Sequence, residues 1–193
     1  MINFENKNLN KTKLKDTSFK FFKFKNIFLK FTKVENKIFE GCYFINCDFG
    51  ETDFVECKFI NCNFINSELF FTNISNSTFN GCKFINFDLR SGDIINNNFS
   101  DCSFLYSRTR GSRFTKNKFS NVLISLSDLK NCIYEQNTIY SLDFEDNNMF
   151  KSRFNNQDFS NFKISRCNTF LVFLEKCKNY QNMNVFDLDF CIE

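Results

Sequence analysis

Three patterns in this 193-residue chain predict an all-β solenoid of stacked coils, each made of four five-residue segments. Apolar residues recur at every fifth position, small residues stand two places before them, and near copies of whole segments return after twenty residues. A helix repeats every ~3.6 residues and a strand every ~2, so neither produces a sustained period of five.

The five-residue series starts at Phe4 and ends at Leu174 without an insertion or deletion. Of its 35 positions 33 are apolar, and Thr109 and Thr169 are the exceptions. Its centre is the aromatic column Phe44, Phe64, Phe84 and Phe104. Two residues earlier, from Cys42 to Cys132, sixteen of nineteen residues are small. One large and one small inward residue in every five, with polar residues between, suits a narrow tube with tight corners.

The twenty-residue period is carried by Cys42-Tyr43-Phe44-Ile45-Asn46, Cys62-Asn63-Phe64-Ile65-Asn66 and Cys82-Lys83-Phe84-Ile85-Asn86, with Cys102-Ser103-Phe104-Leu105-Tyr106 a looser fourth. Stacked coils place like over like, so twenty residues make one turn. The chain lacks proline, which would interrupt a β ladder.

Composition narrows the chemistry. With no histidine, the chain has no Ser-His-Asp or Cys-His nucleophile and no histidine-bearing zinc or haem site. Apolar residues at 42% and aromatics at 19% argue against disorder. The N-terminal residues include no apolar signal core, and no run approaches the ~18 apolar residues of a membrane span. These features lead us to expect a cytoplasmic protein with reduced thiols.

Nine of the ten cysteines occupy the small inward position, and Cys191 does not. Cys42, Cys62, Cys82 and Cys102 are expected to form a straight column with ~4.8 Å between neighbours. Four sulfurs in a column cannot converge on one zinc, and parallel side chains at that spacing strain a disulfide. Buried free thiols acting as small hydrophobes are the expectation, with no metal and no cofactor.

The pattern resembles the pentapeptide-repeat family over about residues 4–174. The resemblance implies a right-handed quadrilateral β-helix of between eight and nine coils, a rod of ~40 Å at ~4.8 Å per coil. Likeness to the Qnr-type quinolone-resistance branch further implies a rod that binds DNA gyrase or topoisomerase IV by mimicking duplex DNA. Two features depart from that branch: no projecting loop breaks the register, and the rod body is only weakly acidic.

Residues 1–37 carry ten lysines against three carboxylates, a net +7, whereas the rest of the chain is −4. This end fits the repeat worst, with Lys7, Phe22, Ile27 and Lys37 at the small position. Irregular first coils are expected, and the helical spacing of Phe21, Phe24, Phe28 and Phe31 offers a short capping helix as the alternative. Interleaved Phe and Lys also suit nucleic acid or an anionic membrane, beside the plainer reading of a core face with a solvated basic face. Arg108, Arg110, Arg113, Lys116 and Lys118 form a second basic cluster, with Arg90 stacked one coil below Arg110.

The helix is expected over residues 1–174, with a C-terminal cap or dimerisation segment over 175–193. By resemblance to family members that pair through this end, Phe170, Phe173, Phe186, Leu188 and Phe190 are candidates for a homodimer contact. Ile45, Ile65, Ile85 and Leu105 should form an outward apolar ladder, read either as a partner surface or as β-branched packing along stacked strands. A filled tube has no catalytic cleft, and stacked carboxylates such as Asp48, Glu68 and Asp88 read as surface ladder residues. The expected function is therefore non-enzymatic: topoisomerase binding with protection from quinolones, or a scaffold for another protein.

Overall fold

The structure, a computed structural model, describes residues 1–10, 14–182 and 190–192. The chain winds as a parallel β-solenoid of about nine turns, and among the described residues there is no α-helix. Each coil has four faces. The first is a nine-stranded sheet running from Ile2–Asn8 through Tyr43–Ile45 and Asn63–Ile65 to Phe162–Ser165. The second is held by single bridges, Phe28 to Asp48, Asp48 to Glu68, and onward to Asn168. The third is a nine-stranded sheet that includes Lys33–Glu35 and Val172–Glu175, and the fourth is a seven-stranded sheet from Ser18–Lys20 to Thr138–Ile139.

Pairing joins residues twenty apart: Phe44 lies over Phe24, Phe64 over Phe44 and Phe104 over Phe84. The large inward residues consequently stack along the axis. Ring centroids on the first face lie 5.0 Å apart for Phe24–Phe44, 4.7 Å for Phe44–Phe64, 5.0 Å for Phe64–Phe84 and 4.3 Å for Phe84–Phe104. A parallel column on the fourth face links Phe19, Phe39, Phe59, Phe79, Phe99 and Phe119. Each buried phenylalanine contributes roughly 1.5–3 kcal/mol through apolar burial. Each ring pair adds about 0.5–1.5 kcal/mol. Both periodic exceptions, Thr109 and Thr169, point inward and are buried.

The corners explain the polar residue between segments. Two places after nearly every central residue the backbone turns left-handed, with φ from 49° at Asn86 to 73° at Gly111. Asparagine tolerates this region better than most side-chain-bearing residues, and it fills many of the corners, including Asn26, Asn46, Asn66, Asn86 and Asn96. Gly81 shows why glycine is needed at one of them: with φ +62°, an added Cβ would lie 2.3 Å from Asn61 Oδ1.

Where the small inward position carries a thiol, hydroxyl or amide, it does so for a reason the spacing alone does not reveal. Its side chain donates to the carbonyl twenty-three residues back, tying each coil to the one below. Cys42 donates to Phe19 O at 3.3 Å, Cys62 to Phe39 O at 3.3 Å, Cys82 to Phe59 O at 3.4 Å and Cys102 to Phe79 O at 3.5 Å. Ser67 and Thr72 make the same bond to Phe44 O and Phe49 O. On the fourth face buried Asn97, Asn117 and Asn137 extend it into an amide ladder.

Among the described residues of the N-terminal end no capping helix forms. Phe22–Phe28 is a strand paired with Ile2–Asn8 on one side and Tyr43–Ile45 on the other. Those two ladders use the backbone groups that a helix would need for itself. Phe19, Phe24 and Leu29 point inward, while Phe21 and Phe31 occupy exposed corners. The irregularity lies in side chains rather than backbone: Lys7 is exposed and Lys37 half-buried, so neither carries the cost of a buried charge. Near the other end, residues Phe159–Asn161 form a 3-10 turn where bulky Phe162 fills the small position, 4.5 Å from the ring of Phe159. The C-terminal strand Phe190–Ile192 pairs with Val172–Leu174 and covers the last strand of the third face.

Candidate interaction surfaces

The nine cysteines from Cys42 to Cys177 are free thiols, seven buried and two half-buried. Burial pushes the Cys47 thiol up to about 11 and Cys132 up to about 12. Such thiols carry little nucleophilic thiolate at neutral pH.

The outward ladder is continuous. Ile45 pairs with Ile65, Ile65 with Ile85 and Ile85 with Leu105, and all four side chains are half-buried. Beside it on the adjoining corner runs a column of amides. Asn26 donates Nδ2 to Asn6 Oδ1 at 2.8 Å, Asn46 to Asn26 at 3.3 Å, Asn66 to Asn46 at 3.4 Å and Asn86 to Asn66 at 2.9 Å. The result is a flat strip with an aliphatic half and an amide half, whose polar groups are held in place by one another.

The second face brings Asp48, Glu68 and Asp88 into one column, but counter-charges accompany them. Lys30 Nζ lies 2.7 Å from Asp48, and the carboxylate raises the lysine above its ordinary value through that hydrogen bond. Asp88 is buried and receives Arg90 at 2.8 Å and Arg108 at 3.6 Å. The second basic cluster does not assemble as one patch. Arg108 and Arg110 lie on the second face, Arg113 reaches Asp93 on the third, Lys116 occupies the next corner and Lys118 lies on the fourth. Arg110 instead shares a groove with Arg90, as the stacking predicts.

Of the candidate dimer residues, Phe170 is 48% exposed and stacks on Phe150 at 5.9 Å, and Phe173 is half-buried under Arg153. Phe190 belongs to the final strand, whereas Phe186 and Leu188 lie outside the described residues. The lysine-rich end exposes Phe21, Phe28 and Phe31 and leaves the first inward residues, Phe4, Leu9 and Leu14, half-buried. Sequence reasoning missed the corner asparagines and the hydrogen-bonding role of the inward cysteines. An asparagine count at every fifth residue was the available signal for the first.

Residues 37–114 match a family model described as a pentapeptide repeat region. Similar solved structures include HetL, a pentapeptide repeat protein involved in heterocyst differentiation regulation from the cyanobacterium Nostoc sp. strain PCC 7120. It is 8% identical with a TM-score of 0.33, over 85% of this chain and 90% of that one. Another is full-length QnrB1, a plasmid-mediated fluoroquinolone resistance protein, 16% identical with a TM-score of 0.35, over 85% of this chain and 95% of that one. Comparison with curated proteins gives no match. The unbroken five-residue register and the four-sided coil run on through both sides of residues 37–114, the segment that matches as a pentapeptide repeat region.

Proposed function

We propose that this protein is a non-enzymatic binding rod that engages a protein partner through its first face. The observation that carries the reading is the strip formed by Ile45, Ile65, Ile85 and Leu105 beside the asparagine column. Its apolar side chains are fixed by strand register and its amides by one another, so binding orders few side chains and loses little entropy. The packed tube interior supports a role without catalysis.

A type II topoisomerase is the partner class to test first, on the strength of the pentapeptide-repeat resemblance. The paired cations at Asp48 and Asp88 favour contact through the apolar strip over mimicry of DNA charge. We further place the protein in the cytoplasm, where free thiols persist, as a homodimer through the end that exposes Phe170. The test is gyrase supercoiling with and without a quinolone, titrating the native chain and Ile65→Thr, which keeps a β-branched side chain in the strand. Restored or inhibited supercoiling that weakens in Ile65→Thr supports both the partner and the surface. No effect at large molar excess removes the topoisomerase and leaves the scaffold reading. An effect that Ile65→Thr leaves unchanged overturns the strip.

A further inference from the structure

We propose that the edge of the second face binds single-stranded nucleic acid. Phe70, Arg90, Arg110, Lys130 and Phe150 occupy equivalent positions in successive coils, linked by Phe71 N to Arg90 O, Ser91 N to Arg110 O and the same bonds onward to Phe150 O. Three cations in a row therefore have aromatic rings at both ends. At one end Phe70, Phe71, Arg90, Ser91, Arg110, Gly111 and Asn131 line a groove of about 380 Å³.

The groove is built from unlike parts that one ligand chemistry unites. Phe70 folds over Gly50 and meets Phe71 edge-on, 6.0 Å between centroids. Phe71 is 61% exposed at one of the regular left-handed corners, with φ 55°. Asp88 grips Arg90 through Nε and Nη2, which fixes its guanidinium at the groove. Arg110 and Lys130 form no ion pair among the described residues. Gly111 keeps the floor open, since an added Cβ would meet only Ser91 Oγ, at 3.6 Å. Exposed Phe71 is the ring that stacks a base, Arg110 and Lys130 hold phosphates, and the linear order suits a strand running along the rod axis. This site stands apart from the first-face strip, so either can fail without the other.

The experiment is fluorescence anisotropy with the full chain and a labelled twelve-nucleotide oligothymidylate at low salt, with linear polyphosphate and a duplex of equal length as competitors. Saturable binding of the single strand is expected, with weaker competition from duplex. Phe71→Asn, a residue suited to the corner, should weaken oligothymidylate roughly tenfold and leave polyphosphate unchanged. Arg110→Gln should weaken both and reduce the slope of log K against log salt by about 0.7. Lys23→Gln with Lys25→Gln should change neither. The proposal is overturned by absence of saturable binding, by preference for duplex, by indifference to Phe71→Asn, or by loss on the lysine substitutions but not on Arg110→Gln.

Discussion

Tyr134 offers the sharpest test of how this core is held together. It sits in the third-face column between Phe114 and Phe154, with ring centroids 5.0 and 4.9 Å away and planes within 9° of parallel. The side chain is buried, and its hydroxyl has no hydrogen-bond partner among the described residues. Desolvation raises its ionisation well above the ordinary tyrosine range. Tyr134→Phe keeps both ring contacts and removes one unsatisfied buried group, whose desolvation costs about 1–3 kcal/mol. A gain near 1–2 kcal/mol is therefore expected, which raises the melting temperature by roughly 2–8 °C for a chain of this size. Thermal and urea unfolding followed by circular dichroism would measure it. Solenoids can unfold in segments, so the comparison should use midpoints as well as fitted energies. A loss of stability in Tyr134→Phe would show that the hydroxyl is satisfied, and would refute the reasoning.

Asn117 should behave in the opposite way, because it donates to Ile94 O and Asn137 Oδ1 and accepts two bonds from Asn97. Asn117→Ala should cost about 3 kcal/mol or more, against about 0.5 kcal/mol or less for exposed Lys118→Ala, read by the same unfolding curves. Gly81→Ala forces a Cβ against Asn61 at a left-handed corner and should cost roughly 1–2 kcal/mol, whereas Gly92→Ala lacks the positive φ and tests packing alone. Alkaline pH should weaken the fold. Cys47 and Cys132 are raised by burial from 9.0 to about 11 and about 12, so their protonated forms support the native state fully below pH ~9. That support is lost as pH rises from ~9 to ~12, at about 1.4 kcal/mol per unit for each thiol. Cys47→Ser with Cys132→Ser should flatten the decline, and an unchanged urea midpoint profile would contradict the assignment.

Much of this architecture is already present in the order of residues, because a coil that stacks on itself repeats its demands every twenty positions. The series from Phe4 to Leu174 and the Cys42, Cys62, Cys82 and Cys102 column fix the period, the number of faces and which side chains turn inward. Charge was legible as regional totals and as stacked columns, but not as ion pairs. Asp48, Glu68 and Asp88 read as an acidic column, but folding brings Lys30, Arg90 and Arg108 to them, and distance decides what that column presents. The second basic cluster dissolved for a related reason: neighbours in sequence such as Arg108, Arg113 and Lys118 fall on different faces, while Arg90 and Arg110 meet across coils.

The N-terminal end marks the same boundary. Helical spacing among Phe21, Phe24, Phe28 and Phe31 competes locally with the pentad set, and no local rule chooses between them. Pairing of Phe22–Phe28 to two neighbouring strands chooses, since it satisfies the backbone on both sides at once. The sequence by itself determined the coil, its period and its inward residues, because those follow from local repetition. Only the tertiary structure decided which carbonyl each inward thiol or amide reaches, which charges cancel, and which aromatics and cations share a groove. Those depend on contacts twenty or more residues apart, whose distances exist only once the coils have stacked.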